Sequence, residues 1–114
     1  MNREHLLKLH KQLTTEAELL MERKNHDYAG AGGEEPFANF TRCEAMGITS
    51  TEQGFLVRMV DKLSRLSSFY ESRELAVRDE SLRDTILDII NYAVLLYAYT
   101  QDTKLVIVPD DRTS

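Results

Sequence analysis

Residues 79–100, DESLRDTILDIINYAVLLYAYT, contain the longest apolar-rich segment of the chain, Ile86 to Tyr99. Leu82, Ile86, Ile89, Ile90, Ala93 and Tyr97 recur at intervals of three and four, which predicts a helix with these residues as its core face and Asp79 as its N-cap. Asp88 and Asn91 interrupt the segment, and it falls short of the ~20 apolar residues a membrane span needs. From Asn91 onward the helix is apolar nearly all round. A helix of that kind must be covered on most sides, so a homo-oligomer, dimer or tetramer, is expected.

Working outward, Leu6, Leu9, Leu13, Ala17 and Leu20 keep the same period and predict a first helix from Asn2 to about Lys24. Asn25–Pro36 (NHDYAGAGGEEP) holds three of the five glycines and one of the two prolines, and reads as a turn-rich loop. Pro36 suits the first turn of a short helix through Phe37, Phe40 and Cys43 that ends at Gly47. Thr49 and Glu52 have capping-box spacing, and Phe55, Met59, Leu63, Leu66 and Tyr70 mark a third helix over about 51–73. Three long helices and one short one predict an all-α bundle, a single domain over 1–104. The tail, 105–114, carries Leu105–Val108 (LVIV), readable as an edge strand, an arm on a partner subunit or a packed tail.

With 114 residues there is room for one domain. Nineteen acids against fourteen Lys and Arg give a formal net charge of −5, which argues against duplex nucleic acid as a partner. An anionic ligand must then be met by local positive charge. The single cysteine, Cys43, and the lack of zinc-spaced Cys and His pairs point to a reducing compartment. The N-terminus has charges threaded through its apolar residues, unlike a secretory signal. A cytoplasmic protein without a membrane partner is expected. No Gly-rich phosphate loop, nucleophile-elbow serine or Cys and His pair is present, which argues against kinases, dehydrogenases and covalent hydrolases.

The chemistry concentrates on the fourth helix. Glu80, Asp84, Asp88 and Asn91 fall within about 80° of one another, on the side away from Leu82, Ile86 and Ala93. A solvated surface is the ordinary explanation of such a row. Leu87 and Leu95, however, flank it, and like charges one turn apart weaken a helix by ~0.2–0.5 kcal/mol per pair unless counter-charge is supplied. Oxygen ligands without Cys or His favour Mg²⁺ or Mn²⁺, and Mg²⁺ commonly arrives with phosphates. On the third helix Arg58, Asp61, Lys62 and Arg65 cluster on one side. Asp61 is then placed to join the acid row while Lys62 and Arg65 reach phosphates, or the three cations pair directly with Asp84 and Asp88. Lys24, His26, Asp27 and Tyr28 stand where the first helix ends, as a ligand-contacting cluster or as a dipole-complementing lysine and a turn aspartate. His5 and His10 read as surface residues, and Cys43 as a packed small one.

The combination KNHDY, PFANF, VRMVDKLSRL and ESLRDTILDIINY, spanning roughly residues 20–100, resembles the MazG-like all-α nucleoside triphosphate pyrophosphohydrolases. The likeness is to their short single-domain branch, common in phages and bacteria and sometimes associated with nucleotide modification. The resemblance implies Mg²⁺ or Mn²⁺ held by acids on two neighbouring helices, and cleavage of an NTP or dNTP to the monophosphate and pyrophosphate. By position it makes Asp61, Glu80 and Asp84 metal ligands, with Asp88 a further ligand or base. It places Lys24, Lys62 and Arg65 on phosphates, with Asp27 beside them, and Tyr28, Phe40, Asn91 and Tyr92 around the base and sugar. The fuller pattern has an E-E-x-x-E cluster on the first metal helix, where this chain has Asp61 alone. Its second-helix acids are spaced E-x-x-D, whereas Asp84 and Asp88 stand four apart. Two other readings stand beside the enzyme: a non-catalytic nucleotide binder that uses the same pocket, and a structural helical oligomer in which the charges are interface ion pairs.

Overall fold

The computed structural model describes the backbone of residues 1–28, 36–72 and 79–103, and the side chains of residues 1–24, 36–72 and 81–103. Within these the chain is all-helical: α1 (Arg3–Tyr28), α2 (Ala38–Ala45), α3 (Thr51–Ser72) and α4 (Asp79–Asp102). α4 packs against both α1 and α3, and α2 lies on α3. The tail segment Leu105–Val108 lies outside the described residues. No described helix is long and apolar enough to cross a membrane.

The helix ends follow local hydrogen bonding. Asn2 caps α1, its Oδ1 accepting from the His5 backbone N–H at 2.8 Å. The helix continues past Lys24 to Tyr28, beyond the end expected, because NHDY contains no Gly or Pro and the first helix breaker is Gly30. α2 begins at Ala38 and not at Pro36, with the Phe40 and Thr41 N–H groups both donating to the Phe37 carbonyl at 2.9 Å. It stops at Gly47, whose φ of 75° few other residues tolerate. There the Gly47 N–H donates to Glu44 O and the Ile48 N–H to Cys43 O, each at 3.0 Å, the paired bonds of a Schellman motif. The cap of α3 is Ser50, not Thr49: its Oγ accepts from the Gln53 N–H at 3.2 Å. The S-x-x-Q frame lies one residue along from the expected one, and it frees Thr51 to turn inward and donate its hydroxyl to Glu44 Oε2 at 3.0 Å.

Aromatic rings hold α2 in place. Phe55, with no exposed surface, stacks on Phe40 at 3.8 Å between centroids and meets Phe37 and Tyr99 at 6.4 and 6.1 Å. Phe37 is edge-on to Tyr99 at 5.4 Å, and Phe40 to Tyr92 at 6.1 Å. The edge-on contacts of Phe37 with Phe55 and Tyr99, and of Phe40 with Tyr92, are a geometry that ring quadrupoles favour.

α4 departs in part from the expected core face. Thr85, Leu87, Asn91 and Tyr99 are its buried residues, whereas Ala93, Val94 and Tyr97 are exposed and Ile86, Ile89 and Ile90 only half-buried. Asp88 and Asn91 of the polar row therefore face neighbours inside the chain while Asp84 stays exposed, and on the apolar face Ala93, Val94 and Tyr97 look out. Two attachments to α1 explain this orientation. The Asn91 side-chain amide donates to the Ala17 carbonyl at 2.9 Å, where the small Ala17 side chain permits close approach. Arg83 pairs with Glu16. On α3 the stripe is shifted as well: Phe55, Met59, Lys62, Leu66 and Phe69 are covered to varying degrees, while Leu63 and Tyr70, expected inside, are exposed. Leu56, Val57 and Val60 join Leu63 on the uncovered side.

Phe55→Ala is expected to destabilise the chain by about 3–5 kcal/mol, since it removes the ring on which three others rest. Denaturant unfolding checks this, and a loss below about 1 kcal/mol would contradict the aromatic cluster's role.

Candidate functional site

Asp88 lies in the middle of α4, so its carboxylate enters the space between α1 and α3. One oxygen accepts from Lys24 Nζ of α1 and the other from Lys62 Nζ of α3, both at 2.9 Å. The Asp88 and Lys62 side chains are 15% and 14% exposed, against 39% for Lys24, so Lys62 forms the inner pair and Lys24 the outer. Burial alone pushes the Asp88 carboxyl up, but the hydrogen bonds and charges of Lys24 and Lys62 outweigh it and hold the carboxyl below the ordinary carboxylate value. Two ammonium groups, one inner and one outer, thus share a single carboxylate.

Above this triad opens a cavity of about 190 Å³. Its α4 wall is Asp88, Asn91, Tyr92 and Leu95, one helical face at i, i+3, i+4 and i+7. Met21 and Lys24 contribute from α1, Asn39 and Phe40 from α2 with Pro36 just before it, and Arg58 from α3. The cavity thus combines positive charge, two amide side chains and two aromatic rings with a small apolar floor. Such a set can hold an anionic group at one end and a flat polar ring at the other.

Of the residues singled out from the sequence, Lys24, Phe40, Asp88, Asn91 and Tyr92 come together here, and Lys62 supports Asp88. Asp61 and Arg65 do not line this cavity. They pair along their own helix at 3.5 Å and line a separate, more open groove with Ser64, Ser68, Ser81 and Thr85. Asp84 is exposed. The side chains of Asp27, Tyr28 and Glu80 lie outside the described residues. His5 and His10 are exposed, and Cys43 is half-buried, its thiol donating to the Asn39 carbonyl at 3.7 Å. Asn39 and Arg58 join the site without having been assigned to it. Asn39 adjoins Phe40, and Arg58 lies four residues before Lys62, the spacing that places two side chains on one helix face.

The acids do not assemble a metal site among the described residues: no group of three His, Cys, Asp or Glu converges there. Both Asp88 oxygens already face lysine ammonium groups, and Asp61 faces Arg65. Comparison of the chain with family models, characterised proteins and solved structures finds no match.

The depressed Asp88 carboxyl sets a pH dependence. Its contribution to stability is complete above the unfolded Asp value of about 3.9 and is lost as the pH falls through the lower folded value. Asp88→Asn is therefore expected to cost about 1–3 kcal/mol at pH 7, less than for a fully buried pair because Lys24 is partly solvated. The deficit should shrink below about pH 4. Urea unfolding at pH 7 and pH 3 measures it, and an equal deficit at both would contradict the charge argument.

Proposed function

We propose that the cavity binds a nucleoside triphosphate and that the chain is a pyrophosphohydrolase, adding water across the α–β phosphoanhydride to release the nucleoside monophosphate and pyrophosphate. One observation carries the nucleotide part: Lys24, Arg58, Phe40, Tyr92, Asn39 and Asn91 surround one cavity in a chain whose net charge is −5. Cations suit phosphate oxygens, the rings suit a base, and the amides suit its polar edge. At about 190 Å³ the cavity is below the ~300–1,000 Å³ of sites that enclose a whole ligand, so part of the nucleotide extends beyond it. Hydrolysis rests on the motif resemblance to MazG-like enzymes. The Mg²⁺ or Mn²⁺ requirement belongs to that reading, and because the described acids do not converge, no catalytic step is assigned to a metal here.

A second reading, nucleotide binding without cleavage, is favoured by the pairing of both Asp88 oxygens with lysines. A panel of NTPs and dNTPs incubated with Mg²⁺ or Mn²⁺ and resolved by ion exchange separates the two. The enzyme yields monophosphate and pyrophosphate, with turnover abolished in Asp84→Asn; intact triphosphates with stoichiometric binding support the binder. Undiminished turnover in Asp84→Asn would remove that residue from the chemistry.

The assembly proposed with this function is a homo-oligomer. It is supported by the outward apolar face of α4 and by the exposed Leu56, Val57, Val60 and Leu63 on α3, Val60 being 63% exposed. Sedimentation should give a dimer or tetramer that Val60→Glu weakens. A wild-type monomer at tens of micromolar would count against it.

A further inference from the structure

We infer that Arg58 is the phosphate anchor of the cavity, the residue that captures the phosphoanhydride end of the ligand; this rests on the nucleotide reading and names the group that meets its charge. Three cations on α3 are in principle available for that task, and the structure separates them. Lys62 is 14% exposed, is spent on Asp88 and does not line the cavity. Arg65 pairs with Asp61 and lines the separate groove. Arg58 lines the cavity, its side chain is exposed, and it carries no ion pair among the described residues.

The charges around the cavity make this assignment specific. Lys24 and Lys62 share the negative charge of Asp88, and Arg58 adds a third cation at the cavity. Asp88 lies between Lys24 and Lys62 and offsets part of their charge, whereas Arg58 lines the cavity with no ion pair among the described residues and presents its whole charge to an incoming anion. A guanidinium stays charged at any physiological pH and offers a planar fork of donors that matches two phosphoryl oxygens at once, which an ammonium does not. Lys24, held at the cavity edge by Asp88, is placed as the second contact on the same anion. Asn39 and the Phe40 and Tyr92 rings then fall to the uncharged part of the ligand.

The test measures binding of a dNTP, of inorganic pyrophosphate and of the corresponding nucleoside to the wild type, Arg58→Gln, Arg58→Lys and Arg65→Gln by calorimetry. Arg58→Gln should weaken the triphosphate and pyrophosphate about 10- to 100-fold while leaving nucleoside binding within twofold, and Arg58→Lys should recover part of the loss. Melting curves show whether Arg58→Gln is folded; if it is not, Arg58→Lys carries the test, a several-fold loss for both phosphate ligands being expected. Wild-type triphosphate affinity in a folded Arg58 variant, or a larger loss in Arg65→Gln, would overturn the anchor and leave the nucleotide reading standing. A wild-type protein that binds neither triphosphate nor pyrophosphate would overturn both.

Discussion

A carboxylate placed between two lysines of different helices fixes how this small bundle closes. Asp88 draws Lys24 of α1 and Lys62 of α3 to within 2.9 Å of its two oxygens, so three helices meet at one charged point. A lone carboxylate there would be costly to desolvate, and a lone lysine equally so. The triad makes each tolerable and sets the rotation of α4 about its axis. Asn91, three residues on, reinforces that rotation by binding the Ala17 carbonyl, and Arg83 does so by pairing with Glu16. The cavity adjoins the same arrangement, lined by Asp88 and Lys24 of the triad and by Phe40 and Tyr92 of the aromatic cluster.

Asp88 and Asn91 of α4 face inward, and part of the apolar face of the helix stays open. Tyr97 is 61% exposed and Val94 52%, and α3 shows the same duality, with Phe55 buried on one side and Val57 and Val60 open on the other. The association we propose would then complete the core, and the polar interior of each subunit would be left to the site.

The helices were largely readable from period alone, since runs at three and four survive any rotation of the helix about its axis. The rotation itself was not. Periodicity groups Leu82, Ile86 and Ala93 on one face of α4 as the inner one, whereas Leu82 and Ile86 are half-buried and Ala93 is exposed, because periodicity carries no information on which part of a face a neighbouring helix reaches. The polar row was rightly suspected of entering a covered region at Asp88 and Asn91, and flanking Leu87 and Leu95 were the signal. Pairing of Lys62 with Asp88 was open in the sequence as one of two arrangements. Arg58's place in the cavity was not legible, since it depends on which cations the acids occupy, and that is settled only when α3 and α4 meet. Ser50 replaced Thr49 as a cap for a similar reason: both lie near a capping residue three positions on, and the inward turn of Thr51 decides between them.

The central claim, that the cavity over the Asp88 triad receives a nucleotide, is tested most directly by titrating isotopically labelled protein with a dNTP and following its amide resonances. Saturable shifts concentrated at Lys24, Asn39, Arg58, Asn91 and Tyr92 are the predicted result. Unperturbed resonances at these residues, or shifts confined to the Asp61 and Arg65 groove, would contradict it.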